Sequence, residues 1–103
     1  MQDVFKALAD ESRRHLLDKL RHEDGLTLNQ LCEELLMSRQ AVSKHLLILE
    51  QANLVIAMQR GRKKHHFLNP VPLQDVVDRW VGEFRQVQTR ALLQLRQDLE
   101  KEK

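Results

Sequence analysis

Very little in this sequence ties the chain to a membrane, an oxidising compartment or a catalytic cofactor. No apolar run approaches the ~18 residues that a membrane-spanning helix needs, so no membrane partner is expected. The opening MQDVFKALAD lacks a basic start followed by an apolar block and does not read as a secretory signal. Cys32, the single cysteine, cannot close an internal disulfide, and the chain reads as a reduced, cytoplasmic protein. A glycine-rich phosphate loop, a nucleophile motif and a metal-ligand cluster are all missing. The expectation is therefore no enzyme, no catalytic residue, no cofactor and no metal. Proline occurs only in Asn69-Pro70-Val71-Pro72, and there is no repeat, low-complexity tract or linker, so residues 1–103 read as a single domain.

What the chain does have is an uneven charge. Between Met37 and His66 stand six cations, Arg39, Lys44, Arg60, Arg62, Lys63 and Lys64, against Glu50 alone. That is a local +5 inside a chain of net charge +2, so everything outside this segment sums to −3. A basic middle in a mildly acidic frame points to a localised anionic partner.

Helix signals bracket this segment. Phe5, Leu8, Leu16 and Leu20 recur at helical spacing, with Asp10 placed to cap a second segment after a break near Ala9. Thr27 with Gln30 three residues on forms a capping box, and Leu26 with Leu31 has the spacing of a hydrophobic staple. The spacing predicts a short helix from Leu28 to about Leu36. Ser38 offers the next N-cap, so two helices are joined tightly as a helix-turn-helix. In the second, expected over about 39–52, Val42, Leu46 and Leu49 make a core stripe while Gln40, Ser43, Lys44 and Leu47 occupy another face. Asn53 suits the left-handed residue after the helix, with Leu54 folding back onto Leu49. Residues 54–68 then read as a β-hairpin with the basic tip Arg60-Gly61-Arg62-Lys63, Gly61 supplying the positive φ. From Pro72 the pattern Leu73, Val77, Trp80, Phe84, Val87, Ala91, continued by Leu95 and Leu99, predicts one helix over about 72–103. Some thirty helical residues extend roughly 45 Å, more than so small a domain can cover, which implies a homodimer.

A helix that starts so polar suits the major groove, where N-terminal residues of a recognition helix meet base edges. Gln40 can read adenine bidentately, Arg39 or Lys44 can read guanine or hold phosphate, and Ser38 and Ser43 are small and hydrogen-bonding. His45 fits either a structural hydrogen bond or a phosphate contact. Arg60, Arg62, Lys63 and Lys64 would lie along the flanking backbone or minor groove of double-stranded DNA.

The segments FKALADESRRHLLDKL, TLNQLCEELLMSRQAVSKHLLILEQANLV and GRKKHHFLNP, in that order, resemble the ArsR-type winged helix-turn-helix transcriptional regulators over nearly the whole chain. The resemblance implies a mainly α fold with a small β-hairpin and a long C-terminal dimerisation helix. It implies a homodimer that binds an operator, usually as a repressor, and is released by a small-molecule or protein effector. The N- and C-terminal helices would build the interface, here Phe5, Trp80, Phe84, Val87, Ala91, Leu95 and Leu99. Some positions depart from the family pattern. Glu11 follows Asp10 where Pro is common, Leu36 and Asn53 stand where Gly is common, and Leu47 replaces a frequent basic residue. Of the three cysteines of the metal-sensing members only Cys32 is matched, Thr27 and Asn29 filling the other places, and no His follows His66. With Asp78-Arg79-Trp80 on the last helix, the chain is similar to the members that do not sense metal.

Plainer readings stand beside these. Cys32 reads as a small buried apolar residue rather than a redox switch. His65 and His66, adjacent on a strand, point to opposite faces and suit surface or phosphate-facing roles rather than joint metal ligation. Trp80 and Phe84 read as interface or core residues rather than a ligand box. The alternative to DNA binding is a winged-helix protein-interaction module, to which Leu47 on the outward face lends support.

Overall fold

The computed structural model describes residues 1–82 and 87–101, with the side chains of 87–89 excepted. The elements are α1 (Gln2–Leu8), α2 (Glu11–His22), α3 (Leu28–Glu34), α4 (Arg39–Gln51), β1 (Val55–Arg60), β2 (Lys63–Leu68), α5 (Val71–Trp80) and α6 (Val87–Lys101). The chain divides into two compact units, residues 1–73 and residues 74–103.

In the first unit the starts of α2, α3 and α4 are each closed by the side chain expected from the sequence. The Asp10 carboxylate accepts from the Arg13 amide (3.1 Å), and Ser38 Oγ accepts from the Ala41 amide (3.1 Å). At Thr27 both halves of the capping box form: Oγ1 accepts from the Gln30 amide (3.3 Å), and Gln30 Oε1 accepts from the Thr27 amide (2.9 Å). Each bond satisfies an amide that has no partner inside the helix. The end of α4 is equally local. Asn53 sits at φ 60°. Its amide donates to Glu50 O (3.0 Å), and the Leu54 amide reaches back to Leu49 O (2.9 Å). These are the paired bonds of a Schellman turn, and they leave Leu54 fully buried.

The core of this unit is aliphatic: Leu16 and Leu20 of α2, Leu31 of α3, Val42 and Leu49 of α4, and Leu54. Phe5 was expected on the same stripe as Leu16 and Leu20, but it is 47% exposed and α1 buries Val4 and Ala7 instead. The break at Ala9–Asp10 is the cause, because it lets α1 turn independently of α2 and resets the helical period. Lys19 bridges α2 to α3, its Nζ 3.0 Å from both Glu23 and Glu34. The two carboxylates raise the Lys19 pKa.

β1 and β2 pair antiparallel from Val55↔Leu68 to Arg60↔Lys63. Gly61 (φ 63°) and Arg62 form the two-residue connection, so Arg60 and Lys63 close the strands rather than lying within the turn. The base of the hairpin is fastened elsewhere. Leu26 bridges His66, with the His66 amide donating to Leu26 O (2.8 Å) and the Gly25 amide to His66 O (2.8 Å). The Asn69 amide donates to Leu54 O and its side-chain Nδ2 to Asn53 O, both at 2.8 Å.

The helix expected to run unbroken over 72–103 is not one helix. α5 begins at Val71, with Pro72 in the first turn where an amide is dispensable, and ends at Trp80. The Val81 and Gly82 amides both turn back to Val77 O (2.8 and 3.1 Å). A Cβ at Gly82 would stand 2.8 Å from the Asp78 carbonyl oxygen, so this tight closure needs glycine. α6 then carries Leu92, Leu95 and Leu99 on one side, exposed by 66, 55 and 55%.

The left-handed backbone at Asn53 generates a stability prediction. Asn53→Ala lowers the free energy of unfolding by about 1–2 kcal/mol, because a Cβ without a polar side chain is penalised there. Asn53→Gly costs measurably less. Urea melts of the three proteins check this, and equal losses for Ala and Gly would contradict it.

Candidate nucleic-acid interface

Three elements of the first unit surround the candidate site: the N-terminus of α3, the outward side of α4, and the hairpin. The outward side of α4 is set by its inward one. Val42, Leu46 and Leu49 are buried, so Arg39, Gln40, Ser43, Lys44, Leu47 and Gln51 are exposed. A cleft of about 380 Å³ separates α4 from the hairpin, and it gathers Arg39 and Ser43 with Arg62, Lys63 and Lys64. Gln59 also lines it, and Glu50 is the one acidic residue there. Gln40 and Lys44 lie exposed on α4 outside that cleft, and Arg60 lies exposed at the end of β1.

Ser38 uses its Oγ as an acceptor for the Ala41 amide, which leaves the hydroxyl proton as its remaining hydrogen-bonding capacity toward a ligand. Arg39 donates through Nη1 to Asn29 Oδ1 on α3. Asn29 was not singled out from the sequence. Only the crossing of α3 over α4 brings positions ten residues apart together, and no local pattern encodes that.

The cations of this surface stand outside the ion pairs formed among the described residues. Lys19, Arg21 and Arg96 each stand within salt-bridge distance of a carboxylate. Among the described residues, Arg39, Lys44, Arg60, Arg62, Lys63 and Lys64 make no such pair. These cations therefore enter any encounter with an anion without first having to break an internal ion pair.

Three of the five histidines, His45, His65 and His66, take structural places. His66 is buried and its Nδ1 lies 2.9 Å from Leu26 O; since a carbonyl only accepts, Nδ1 carries the proton. His65 Nδ1 donates likewise to Gly25 O (2.8 Å). The surface or phosphate-facing role expected of this pair gives way to two bonds that anchor the hairpin base, a pairing invisible until residues 25–26 and 65–66 become neighbours. His45 is directed toward α1 and α2, away from the cleft. Arg13 Nη1 donates to His45 Nδ1 (3.3 Å), and Asp10 Oδ2 stands 3.9 Å from the same nitrogen. Arg13 also donates through Nε to Ala7 O (2.8 Å) and through Nη2 to Lys6 O (3.0 Å). It thus binds the Ala7 and Lys6 carbonyls at the end of α1 while holding α4.

Cys32 is half-buried. Among the described residues no three His, Cys, Asp or Glu side chains cluster as a metal site would require. No helix among them is long and apolar enough to cross a membrane. Of the expected interface residues, Phe5, Trp80, Ala91, Leu95 and Leu99 are exposed, whereas Phe84 and the side chain of Val87 lie outside the described residues.

Comparison with known proteins agrees with this geometry. Residues 8–56 match a helix-turn-helix domain family. The HTH-type transcriptional regulator YuzN of Bacillus subtilis is 37% identical over 84 residues, covering 76% of this chain and 91% of that protein. The transcriptional repressor SdpR of the same organism is 36% identical, covering 82% and 91%. Among solved structures, an ArsR-like transcriptional regulator from Rhodococcus sp. RHA1 superposes with a TM-score of 0.75 at 30% identity, over 97% of this chain and 90% of that one.

The Asp10 cap carries a pH signature. The Arg13 amide, followed by the charges of Arg13 and His45, lowers the Asp10 pKa below its ordinary 3.8. A depressed carboxylate contributes stability above its unfolded pKa and loses it as pH falls through the folded one. Asp10→Asn keeps an acceptor at the cap but removes the charge. The wild type is therefore expected to be the more stable near pH 6, with the gap closing below about pH 4. Urea unfolding across pH measures this, and a gap unchanged at pH 2 would exclude the charge as its source.

Proposed function

Because the chain belongs to the ArsR-type winged helix-turn-helix transcriptional regulators, we propose that this DNA-binding regulator grips an operator as a homodimer and acts as a repressor. Its α4 enters the major groove and its hairpin follows the flanking backbone. The main support is the set of cations gathered at one cleft between α4 and the hairpin, none of them in an ion pair among the described residues. Arg39, Gln40, Ser43 and Lys44 read base edges or hold phosphate. Ser38 can give its hydroxyl proton to the backbone, while Arg60, Arg62, Lys63 and Lys64 supply the sequence-independent attraction. The repressor assignment is supported by likeness to SdpR, a transcriptional repressor. Release of DNA falls to a small-molecule or protein effector, since a single cysteine per chain leaves a thiolate metal site incomplete within it.

The homodimer is supported by α6. Leu92, Leu95 and Leu99 recur on one side of it and stay more than half exposed, an arrangement that a second copy of the same helix would bury. Trp80 and Phe5 are further apolar side chains left open for such an interface.

Two experiments test this function. Gln40→Ala should cost about 1–3 kcal/mol per half-site on the preferred operator and little on scrambled duplex. Arg62→Ala with Lys63→Ala should weaken both duplexes alike and make the salt slope shallower by about one unit per lost phosphate contact. If the hairpin variant loses sequence preference while the Gln40 variant weakens both duplexes equally, the two elements have been assigned in reverse. For assembly, Leu95→Glu with Leu99→Glu should raise the dimer dissociation constant roughly 100-fold or more, because four buried leucines are replaced across a two-fold axis. Sedimentation equilibrium reads this, and an undiminished dimer would rule out α6 as the interface.

A further inference from the structure

We propose that Leu47 is a sequence-reading residue, and that it reads the C5-methyl group of a thymine in the major groove. The proposal rests on α4 entering that groove, as above.

Leu47 is 53% exposed, although Val42, Leu46 and Leu49 on the same helix are 0, 3 and 0% exposed. It is not a core residue at the edge of the buried stripe. At about 100° per residue, its direction falls within ~20° of that of Gln40 and between those of Ser43 and Lys44. It is central to the exposed arc of α4. Where α4 lies along the groove with Gln40 at a base edge, Leu47 faces the bases on the same side, about 10 Å further along the axis.

The chemistry at that depth narrows the target. Guanine, cytosine and adenine present only polar acceptors and donors in the major groove, whereas thymine adds a methyl group. A leucine pressed onto N7, O6 or an amino group would strip water from it and return no hydrogen bond. Pressed onto a thymine methyl, it removes apolar surface from water on both sides. Leu47 thus favours thymine and disfavours the other three bases by the same contact. The surroundings favour DNA over an apolar protein partner. Lys44 shares the arc, and Arg39, Arg62, Lys63 and Lys64 line the neighbouring cleft, where Glu50 is the one acidic residue and none of the four makes an ion pair among the described residues. A partner that covers Leu47 has to bring negative charge around it, as a duplex does.

The test uses the full chain and a duplex selected by it from a randomised pool. Each thymine is replaced in turn by deoxyuridine, symmetrically in the two half-sites. This deletes one methyl group per half-site and leaves every hydrogen-bonding group in place. For the wild type, one position should stand out, with binding about four-fold weaker per methyl removed. Leu47→Ala should bind the thymine duplex as weakly as the wild type binds the uracil duplex, and at that position should no longer tell the two apart. Its thermal melt should match the wild type, since the side chain is exposed, and its preference at the position read by Gln40 should persist. The proposal is overturned if Leu47→Ala keeps the full thymine-to-uracil ratio at every position. It is equally overturned if the wild type shows no position sensitive to the methyl, which would leave Leu47 to a protein partner. Failure of the premise looks different: no duplex would be selected over scrambled DNA at all, and that result would remove both readings together.

Discussion

The rotation of α4 about its own axis is the constraint on which the rest of the site depends. Val42, Leu46 and Leu49 are each almost wholly buried. Turning the helix by even one residue position would lift them into water and push Ser43, Lys44 or Leu47 into an aliphatic core. Each leucine so displaced costs about 1.5–3 kcal/mol, a large share of the stability of so small a domain. The polar arc is therefore held by packing on the opposite side. Its members need make no contacts of their own to be aimed correctly, which leaves Gln40, Lys44 and Leu47 available for a ligand.

The hairpin is aimed by a different means. Its strands are short and largely exposed, and a two-stranded ribbon has little stability alone. What holds it is the seam at its base, where Gly25 and Leu26 bond to His65 and His66 through both backbone and imidazole. At the open end of the same strands, Asn69 ties back to Asn53 and Leu54. Since Asn53 and Leu54 also close α4, α4 and the hairpin share one turn. The cleft between them is a consequence of this shared joint, and so is the gathering of Arg39 and Ser43 with Arg62, Lys63 and Lys64.

What could be read from the sequence, and what could not, follows the range of each interaction. Asp10, Thr27, Ser38, Asn53 and Gly61 act within a few residues of their own position, and each performs the local role its residue type suggests. The faces of α4 were equally legible, because a period of 3.6 residues survives any tertiary arrangement. The bonds from Arg13 to His45, Arg39 to Asn29 and His66 to Leu26 join residues 32, 10 and 40 positions apart, and no spacing rule announces them. The break after Trp80 was hidden for another reason. Apolar residues continue at heptad spacing across it, and one glycine inside a helical pattern costs only about 1 kcal/mol. Gly82 accommodates the turn, since a Cβ there would stand 2.8 Å from the Asp78 carbonyl oxygen, and that closeness has no periodic signature.

Electrostatics and side-chain chemistry divide the work of recognition. With a net charge of only +2, the protein as a whole does not attract DNA strongly from a distance. Over a screening length of about 8–10 Å, a duplex near the hairpin senses mainly the nearby cations and little of the distant acidic residues. That attraction is indifferent to sequence and salt-sensitive, which suits sliding and rapid release from wrong sites. On the proposed reading, residence at the right site comes from contacts that a wrong base cannot satisfy: a bidentate amide from Gln40, whose polar atoms are left unpaired by a mismatch, and an apolar leucine that a thymine methyl group matches. A surface made wholly of cations would bind more tightly everywhere and discriminate less. On that reading, Leu47 at a position where a basic residue is common moves this chain toward discrimination at the expense of general affinity.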